Sequence, residues 1–195
     1  MRKTVAAMTM TTLFASLVSL SGLAKAAPET FAIDPTHTAP RFEYTHQGLS
    51  SQIHRFDRTS GQIVLDRAAK TASVDVRIDA KSINTGFSAF NEHMQGEGFF
   101  NTAQFPDITF KSTAVRFEGD KPVAVEGHLT IKGVTRPVTL MITSFLIKPH
   151  PMTKKDALGA NAVAKIKRSE FNLGKYPAAV PDEVSLSLAV EAMAQ

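Results

Sequence analysis

Cysteine and tryptophan are both absent from the 195 residues of this chain. Without cysteine, the protein can form no disulfide, thiolate nucleophile, CxxC redox pair or cysteine-based zinc site. Without tryptophan, 13 phenylalanines and two tyrosines supply all the aromatic side chains. The hydrophobic fraction of 43% and the charged fraction of 21% exclude a disordered acidic chain. The 11 glycines and ten prolines also exclude a collagen-like or proline-rich protein.

The common catalytic and nucleotide-binding motifs are missing as well. The sequence has no GxSxG nucleophile elbow and no GxGxxG or GxxxxGK[ST] loop, so it predicts neither Ser-His-Asp hydrolysis nor nucleotide binding. The six histidines show no HExxH or HxH spacing, and we predict no metal site and no catalytic residue. Asp34 and His37 could still meet at a strand end, and Glu92 and His93 could share a helix.

The first 26 residues have the layout of a secretory signal peptide. Arg2 and Lys3 precede an uncharged stretch over residues 4–24, and Ala24-Lys25-Ala26 is a small-x-small cleavage sequence. The uncharged stretch is long enough to span a bilayer, so an uncleaved anchor is the alternative. Its many threonines and serines favour a removed signal. We therefore predict export, cleavage after Ala26 and one domain over residues 27–195.

Removal of this segment also removes most of the net positive charge. The whole chain has 22 basic and 18 acidic residues, and residues 1–26 contain three of the basic ones and none of the acids. The remaining chain therefore has a formal charge of +1. Because nucleic-acid binding needs clustered lysines and arginines, no nucleic-acid partner is predicted. One small basic cluster, Lys165, Lys167 and Arg168, is either a solvated strand face or a contact for an anionic head group at a barrel mouth.

Alternation of apolar and polar residues with period two recurs along the chain and predicts β-strands. The predicted strands span about residues 30–33, 41–46, 62–65, 72–79, 107–117, 123–131, 137–147, 162–168 and 184–190. A bulge is expected near Thr113, and Lys132-Gly133 is a turn signal. Eight or nine short strands with tight turns predict a mainly β fold, either a closed antiparallel barrel or a sandwich.

Two segments break the strand pattern. Phe87, Phe90 and Met94 have helical spacing and predict a short amphipathic helix over residues 87–95, with Asn84-Thr85 as candidate N-caps. Residues 148–161 have no apolar period and are predicted to form a long loop, mobile or functional, for instance a lid.

Five phenylalanines fall between residues 87 and 105, and they have two interpretations. They either fill one end of a barrel as core or line a cavity, because an eight-stranded barrel can be packed solid or can hold one small ligand. Residue patterning does not distinguish the two.

Five segments of the chain carry a recognisable pattern in a fixed order. They read FAIDPTHTAPRFEYTH (31–46), FDRTSGQIVLD (56–66), NEHMQGEGFFNTAQFPDITFKST (91–113), VEGHLTIKGVTRPVTL (125–140) and IKRSEFNLG (166–174). With these segments the chain resembles the YceI-like periplasmic polyisoprenoid-binding proteins over about residues 30–192. The resemblance implies a periplasmic protein with an extended lipocalin-like antiparallel barrel of about eight strands, one end covered by the helix. It also implies an apolar tunnel that holds an isoprenoid lipid, either a polyprenyl lipid or an isoprenoid quinone, without any required cofactor.

Alternation and the phenylalanine cluster select residues for this implied tunnel. The predicted tail-binding residues are Phe42, Tyr44, Val74, Val76, Phe87, Phe90, Phe99, Phe100 and Phe110. The predicted head-group residues are His37, His46 and His93. The family often has Arg-Asp-x-His-Leu in the helix, whereas this chain reads Phe90-Asn91-Glu92-His93-Met94. The missing Arg-Asp pair favours a neutral head group such as a quinone over a diphosphate.

Two other classes of function remain as alternatives to a lipid carrier. One is an enzyme that acts on a lipid or small molecule at the mouth, with His93 and Glu92 as acid and base. The other is a ligand-free, stress-associated structural protein with a packed core. Transient membrane contact during loading and a homodimer are both compatible with the carrier.

Overall fold

The computed structural model describes residues 27–195, so the predicted signal peptide lies outside the described residues. The strands are β1 Glu29–Ile33, β2 Arg41–His46, β3 Ser50–Phe56, β4 Thr59–Asp66, β5 Thr71–Asp79, β6 Ile83–Asn84, β7 Asp107–Glu118, β8 Lys121–Ile131, β9 Val134–Pro149, β10 Asp156–Lys167 and β11 Glu183–Ala194. One α-helix, α1 Ser88–Gln95, follows β6, and two 3-10 helices span Ala80–Ser82 and Arg168–Phe171. No helix in this part of the chain has both the length and the apolar character needed to cross a membrane.

Eight of the strands close into an antiparallel barrel. Their order is β1-β4-β5-β7-β8-β9-β10-β11, and β11 pairs back onto β1, where Ala194 lies opposite Phe31. Consecutive strands of the chain pair at most of these positions. Short turns connect them, except that residues 168–182 lie between β10 and β11. The predicted mainly β fold with a closed barrel is confirmed, and the sandwich alternative is excluded because no open edge separates two sheets around this ring.

The hairpin of β2 and β3 branches from the barrel at one end. Glu43 of β2 lies opposite Ser185 at the start of β11, and Phe56 of β3 lies opposite Ile83 of β6. Helix α1 follows β6 directly and packs its Phe90 ring 5.6 Å from the ring of His54 in β3. The hairpin and the helix therefore cover the same end of the barrel, which we call the covered end.

The predicted helix is confirmed with a start one residue later than expected. Phe87 is the N-cap residue and has an extended backbone, and no side chain caps the helix there. The predicted cap at Asn84-Thr85 is wrong, because Thr85 instead uses its backbone N–H and its hydroxyl to donate to Oδ1 of Asn91, at 2.7 and 2.8 Å.

Buried side chains from the inner faces of the strands form two clusters along the barrel. The larger cluster lies toward the covered end and includes Phe56, Phe100, Phe110 and Phe171, each at most 8% exposed. The smaller one lies toward the opposite end, where β1 pairs with the end of β11, and is built on Phe31, Leu65, Leu158 and Ala192. Alternation along each strand puts these residues inside and the polar ones outside.

Local details confirm some turn and bulge predictions. The pairing of β7 with β8 shifts register between Ser112 and Ala114, which is the predicted bulge. Lys132 and Gly133 join β8 to β9 with φ of 50° and 74°, as a two-residue hairpin turn requires.

The predicted long loop over residues 148–161 is wrong. β9 continues to Pro149 and β10 begins at Asp156, so only residues 150–155 lie between the strands. A register shift between Asn161 and Ala162 and the small residues Ala157, Gly159 and Ala160 disguise the alternation. Backbone pairing of β10 with β9 and β11 holds this segment as a strand.

Candidate functional site

A cavity of about 480 Å³ runs through the interior of the barrel. All eight barrel strands contribute inward-facing side chains to its wall, and most of these side chains are apolar. Typical members from different strands are Ile63, Val125, Ile142, Ala162 and Leu188. The same period-two alternation that builds the core therefore leaves a channel between the two core clusters instead of filling it.

Eight of the nine predicted tail-binding residues lie on the wall of this cavity. They are Phe42, Tyr44, Val74, Val76, Phe90, Phe99, Phe100 and Phe110. Phe87 does not line it: its side chain is 66% exposed, because it precedes the first turn of α1 and points away from the barrel. The structure thus brings the predicted set together apart from Phe87.

Two of the three predicted head-group histidines also line the cavity. His46 and His93 line the cavity at the covered end. His37 lies outside it, because a turn after β1 places its ring beside the carboxylate of Asp34, with Nδ1 2.7 Å from Oδ2. Hydrogen bonds from His37 and Thr36 lower the pKa of Asp34 to about 2. One potential metal-ligating atom from each of Asp34, His37 and Glu191 lies within 4.8 Å of the other two, on the outer wall.

Aromatic rings form the roof of the cavity at the covered end. Phe100 contacts the rings of Phe42 and Phe56, with centroid distances of 6.1 and 5.4 Å. His93 packs between Phe90 and Phe99, at 6.0 and 4.9 Å. These contacts fix α1 over the opening, with His93 at the rim.

A polar pair, the half-buried Tyr44 and the buried His54, interrupts this apolar roof. The phenol oxygen of Tyr44 lies 3.0 Å from Nε2 of His54, and His54 is only 4% exposed. Burial lowers the pKa of His54 and raises the pKa of Tyr44. Sequence analysis missed His54, because the polar segment of β3 shows no apolar alternation.

The segment from Leu173 to Pro181 closes the rest of the covered end. The guanidinium of Arg168 donates hydrogen bonds to the backbone carbonyls of four of its residues, Leu173, Lys175, Val180 and Pro181. The N–H of Gln47 at the tip of the hairpin donates to the carbonyl of Ala179 at 2.7 Å. The segment and the hairpin are thereby joined above the cavity.

The three residues of the predicted basic cluster, Lys165, Lys167 and Arg168, do not share one environment. β10 ends at Lys167, and the 3-10 helix that follows turns Arg168 onto the cavity wall. Lys165 and Lys167 remain exposed, and Nζ of Lys165 lies 2.7 Å from Glu183. Their interpretation as a solvated strand face holds, whereas Arg168 was wrongly placed within the strand.

Comparison with known proteins shows which family the chain belongs to. A family model described as the YceI-like domain matches residues 31–192. The chain belongs to the YceI-like family. Protein YceI of Salmonella agona (strain SL483) is 34% identical over 183 residues, which cover 93% of this chain and 95% of that protein. Protein YceI of Escherichia coli O157:H7 is 33% identical over the same shares.

Two solved structures show the same architecture. Burkholderia cenocepacia BcnA matches with a TM-score of 0.70 and 27% identity, over 82% of this chain and 99% of BcnA. A polyisoprenoid binding domain from Saccharophagus degradans, implicated in plant cell wall breakdown, matches with a TM-score of 0.63 and 18% identity, over 85% and 98%. At that identity the second likeness shows the fold alone.

The site offers apolar enclosure and hydrogen bonding. Glu92 and His93, the acid and base of the enzyme alternative, make no hydrogen bond or ion pair with each other in the described structure. The YceI-like fold suggests a binding protein rather than an enzyme.

Proposed function

We propose that the protein is a periplasmic carrier for a long-chain isoprenoid lipid, a polyprenyl lipid or an isoprenoid quinone, held non-covalently in the barrel cavity. The observation that carries this proposal is the cavity itself, with an apolar wall drawn from all eight strands. A protein that needed only a packed core would fill such a space, because voids lose dispersion contacts and cost stability. Membership of the YceI-like family and the fold shared with a polyisoprenoid binding domain support the choice of ligand.

The apolar wall can supply ample affinity for such a chain. Each buried methylene contributes about 0.8 kcal/mol of transfer free energy, so one five-carbon prenyl unit contributes roughly 3–4 kcal/mol before the cost of ordering the chain. Affinity that comes from burying the hydrocarbon tail depends little on which functional groups the ligand has. Selectivity must therefore come from the length of the cavity and from the few polar groups near its opening.

Filling the cavity tests this proposal. Ala162 lies on the cavity wall, between Ile142 and Leu188 on the neighbouring strands. In Ala162→Phe the new ring takes up space that the lipid tail would occupy. Delipidated Ala162→Phe is expected to bind farnesol at least about tenfold more weakly than the unmodified protein, since several tail carbons lose their place.

Val163→Phe is the matched control. Val163 follows Ala162 on the same strand, faces outward and is 42% exposed. This variant is expected to bind farnesol with unchanged affinity. Equal farnesol affinity in both variants, or no binding by the unmodified protein, would contradict the carrier proposal.

The periplasmic part of the proposal rests on residues 1–26, with their basic start and their Ala24-Lys25-Ala26 sequence. Expression of the full chain in a Gram-negative host is expected to yield periplasmic protein whose first residue is Ala27. A full-length product in the membrane fraction would instead support the uncleaved anchor.

A further inference from the structure

Arg168 differs from the other arginines in how its charge is compensated. Among the described residues, five arginines form salt bridges with carboxylates: Arg55, Arg58, Arg67, Arg77 and Arg116. Two more, Arg41 and Arg136, have none, and both are exposed to solvent, although Arg41 also lines the cavity. Arg168 is half-buried on the cavity wall and also makes no salt bridge with any residue described.

The hydrogen bonds of Arg168 leave one donor free. Nε donates to Pro181 at 2.9 Å, Nη1 donates to Leu173 and to Lys175, and Nη2 donates to Val180 at 2.7 Å. A guanidinium has five N–H groups, so one N–H on Nη2 remains without a partner in the described part of the chain. All four acceptors are neutral carbonyls, which align the guanidinium but do not neutralise it.

The carboxylate of Asp182 does not take the place of a partner. It accepts hydrogen bonds from the backbone N–H and the hydroxyl of Ser169, at 2.8 and 2.7 Å. Asp182 does act on Arg168 electrostatically, yet burial still lowers the pKa of Arg168 from its ordinary value. The cation is thus only partly compensated where it meets the cavity.

Arg168 lies on the same side of the cavity as the polar pair in the roof. Tyr44 lines the cavity, interacts electrostatically with Arg168 and has its phenol oxygen 3.0 Å from His54. A ligand end group that reaches this part of the wall meets the cationic guanidinium of Arg168 and the phenol of Tyr44. An oxygen acceptor with negative charge matches that combination best, because hydrogen bonds between charged partners are about twice as strong as neutral ones.

We infer that Arg168 is a specificity-determining residue that selects isoprenoid ligands ending in an anionic oxygen group, a phosphate or a carboxylate. This inference rests on the proposed carrier function. It opposes the neutral head group expected from the missing Arg-Asp pair in the helix, because Arg168 supplies a cation from the other side of the opening.

Three ligands with the same tail test the inference: farnesyl phosphate, farnesoic acid and farnesol, each titrated into delipidated protein. The unmodified protein is expected to bind the two anions about 10- to 150-fold more tightly than the alcohol, the range for one hydrogen bond to a charged group. Arg168→Gln is expected to remove this preference, so that its affinities for the two anions fall to about its own affinity for farnesol. Arg168→Lys, which keeps the charge without the planar fork, is expected to retain part of it.

The farnesol titration also distinguishes a loss of selectivity from damage to the Leu173–Pro181 segment. A disordered segment would lower the affinity for all three ligands. Arg136→Gln removes an exposed arginine that makes no salt bridge in the described structure and so controls for net charge. It is expected to leave all three affinities unchanged. If the unmodified protein bound the three ligands equally, or if Arg168→Gln kept the preference for anions, the proposed role of Arg168 would be wrong. Neither result would contradict the carrier proposal. Failure of all three to bind would overturn the carrier itself.

Discussion

The phenol oxygen of Tyr44 lies 3.0 Å from Nε2 of His54, and the other ring nitrogen of His54 makes no hydrogen bond in the described structure. The rings of Phe42 and Phe90 pack against the same imidazole, with centroids 5.5 and 5.6 Å away. A charged imidazolium would be costly among these rings, so the fold favours neutral His54.

Because His54 is held neutral, we expect the free energy of unfolding to fall in mild acid. Its pKa is lowered from 6.5 by burial, so the unfolded chain takes up a proton at a higher pH than the folded chain does. The contribution of His54 is complete above pH 6.5 and is lost as the pH falls from there toward the folded pKa. Urea unfolding at about pH 7.5 and about pH 5.5 should show a loss of stability that is smaller in His54→Gln.

Two comparisons isolate this effect. His128→Gln makes the same substitution at an exposed histidine and should change the free energy of unfolding by no more than about 0.5 kcal/mol. The Asp34–His37 pair acts in the opposite direction, because the raised pKa of His37 gives stability at low pH that is lost as pH rises through it. The prediction therefore concerns the difference between variant and parent, and identical pH slopes for His54→Gln and its parent would contradict it.

Gly127 is predicted to be essential for close packing inside the barrel. A Cβ at this position would lie 2.5 Å from Cζ of Phe110 and 2.6 Å from the carbonyl oxygen of Lys111. Gly127→Ala is therefore expected to push Phe110 from its place on the cavity wall and to cost about 1–3 kcal/mol in urea unfolding.

The matched control for Gly127 is Gly159 on β10. A Cβ there would meet no heavy atom within 4 Å. Gly159→Ala is expected to be neutral or to stabilise the protein by about 0.5–1 kcal/mol, since alanine loses less backbone entropy than glycine on folding. Equal destabilisation by the two substitutions would show that Phe110 does not limit the space at Gly127.

Phe100 tests the wall of the cavity. It is 8% exposed and packs on Phe42 and Phe56, so Phe100→Asp would place a carboxylate in an apolar environment without a partner. Retention of farnesol is expected to be strongly reduced, provided that circular dichroism shows a folded variant. Phe87→Asp introduces the same group at a site 66% exposed and should retain farnesol with a stability change within about 0.5 kcal/mol.

His93 distinguishes a carrier from an enzyme. Its ring stacks on Phe90 and meets Phe99 edge-to-face at the rim, so His93→Ala is expected to weaken lipid binding modestly through lost contacts. Any turnover of a lipid substrate by the unmodified protein that disappears in His93→Ala while lipid binding persists would favour the enzyme alternative.

The sequence predicts the barrel well because period-two alternation is a local signal that the pleat enforces. Val74 and Val76, for example, alternate and both face the cavity. β3 is missed because its residues are polar and its place depends on pairing with β2, a contact that alternation in β3 does not encode. Phe87 is misplaced because helical spacing cannot tell the last residue before a helix from its first inward-facing one.

The polar groups of the site are harder to predict than its apolar wall. His54 and Arg168 reach the covered end only because β3 pairs with β2 and because the chain turns into a 3-10 helix after Lys167. Those are long-range or conformational events without a repeating pattern. His37 shows the converse, because its local partner Asp34 was visible in the sequence while its position on the outer wall was not.

Native mass spectrometry of protein freshly purified from the periplasm of its own host, followed by organic extraction, tests the central claim most directly. We predict a mass above that of the processed chain, and an isoprenoid lipid in the extract that accounts for the difference. A mass equal to that of the chain alone, with no lipid in the extract, would contradict the carrier and would favour a ligand-free structural protein.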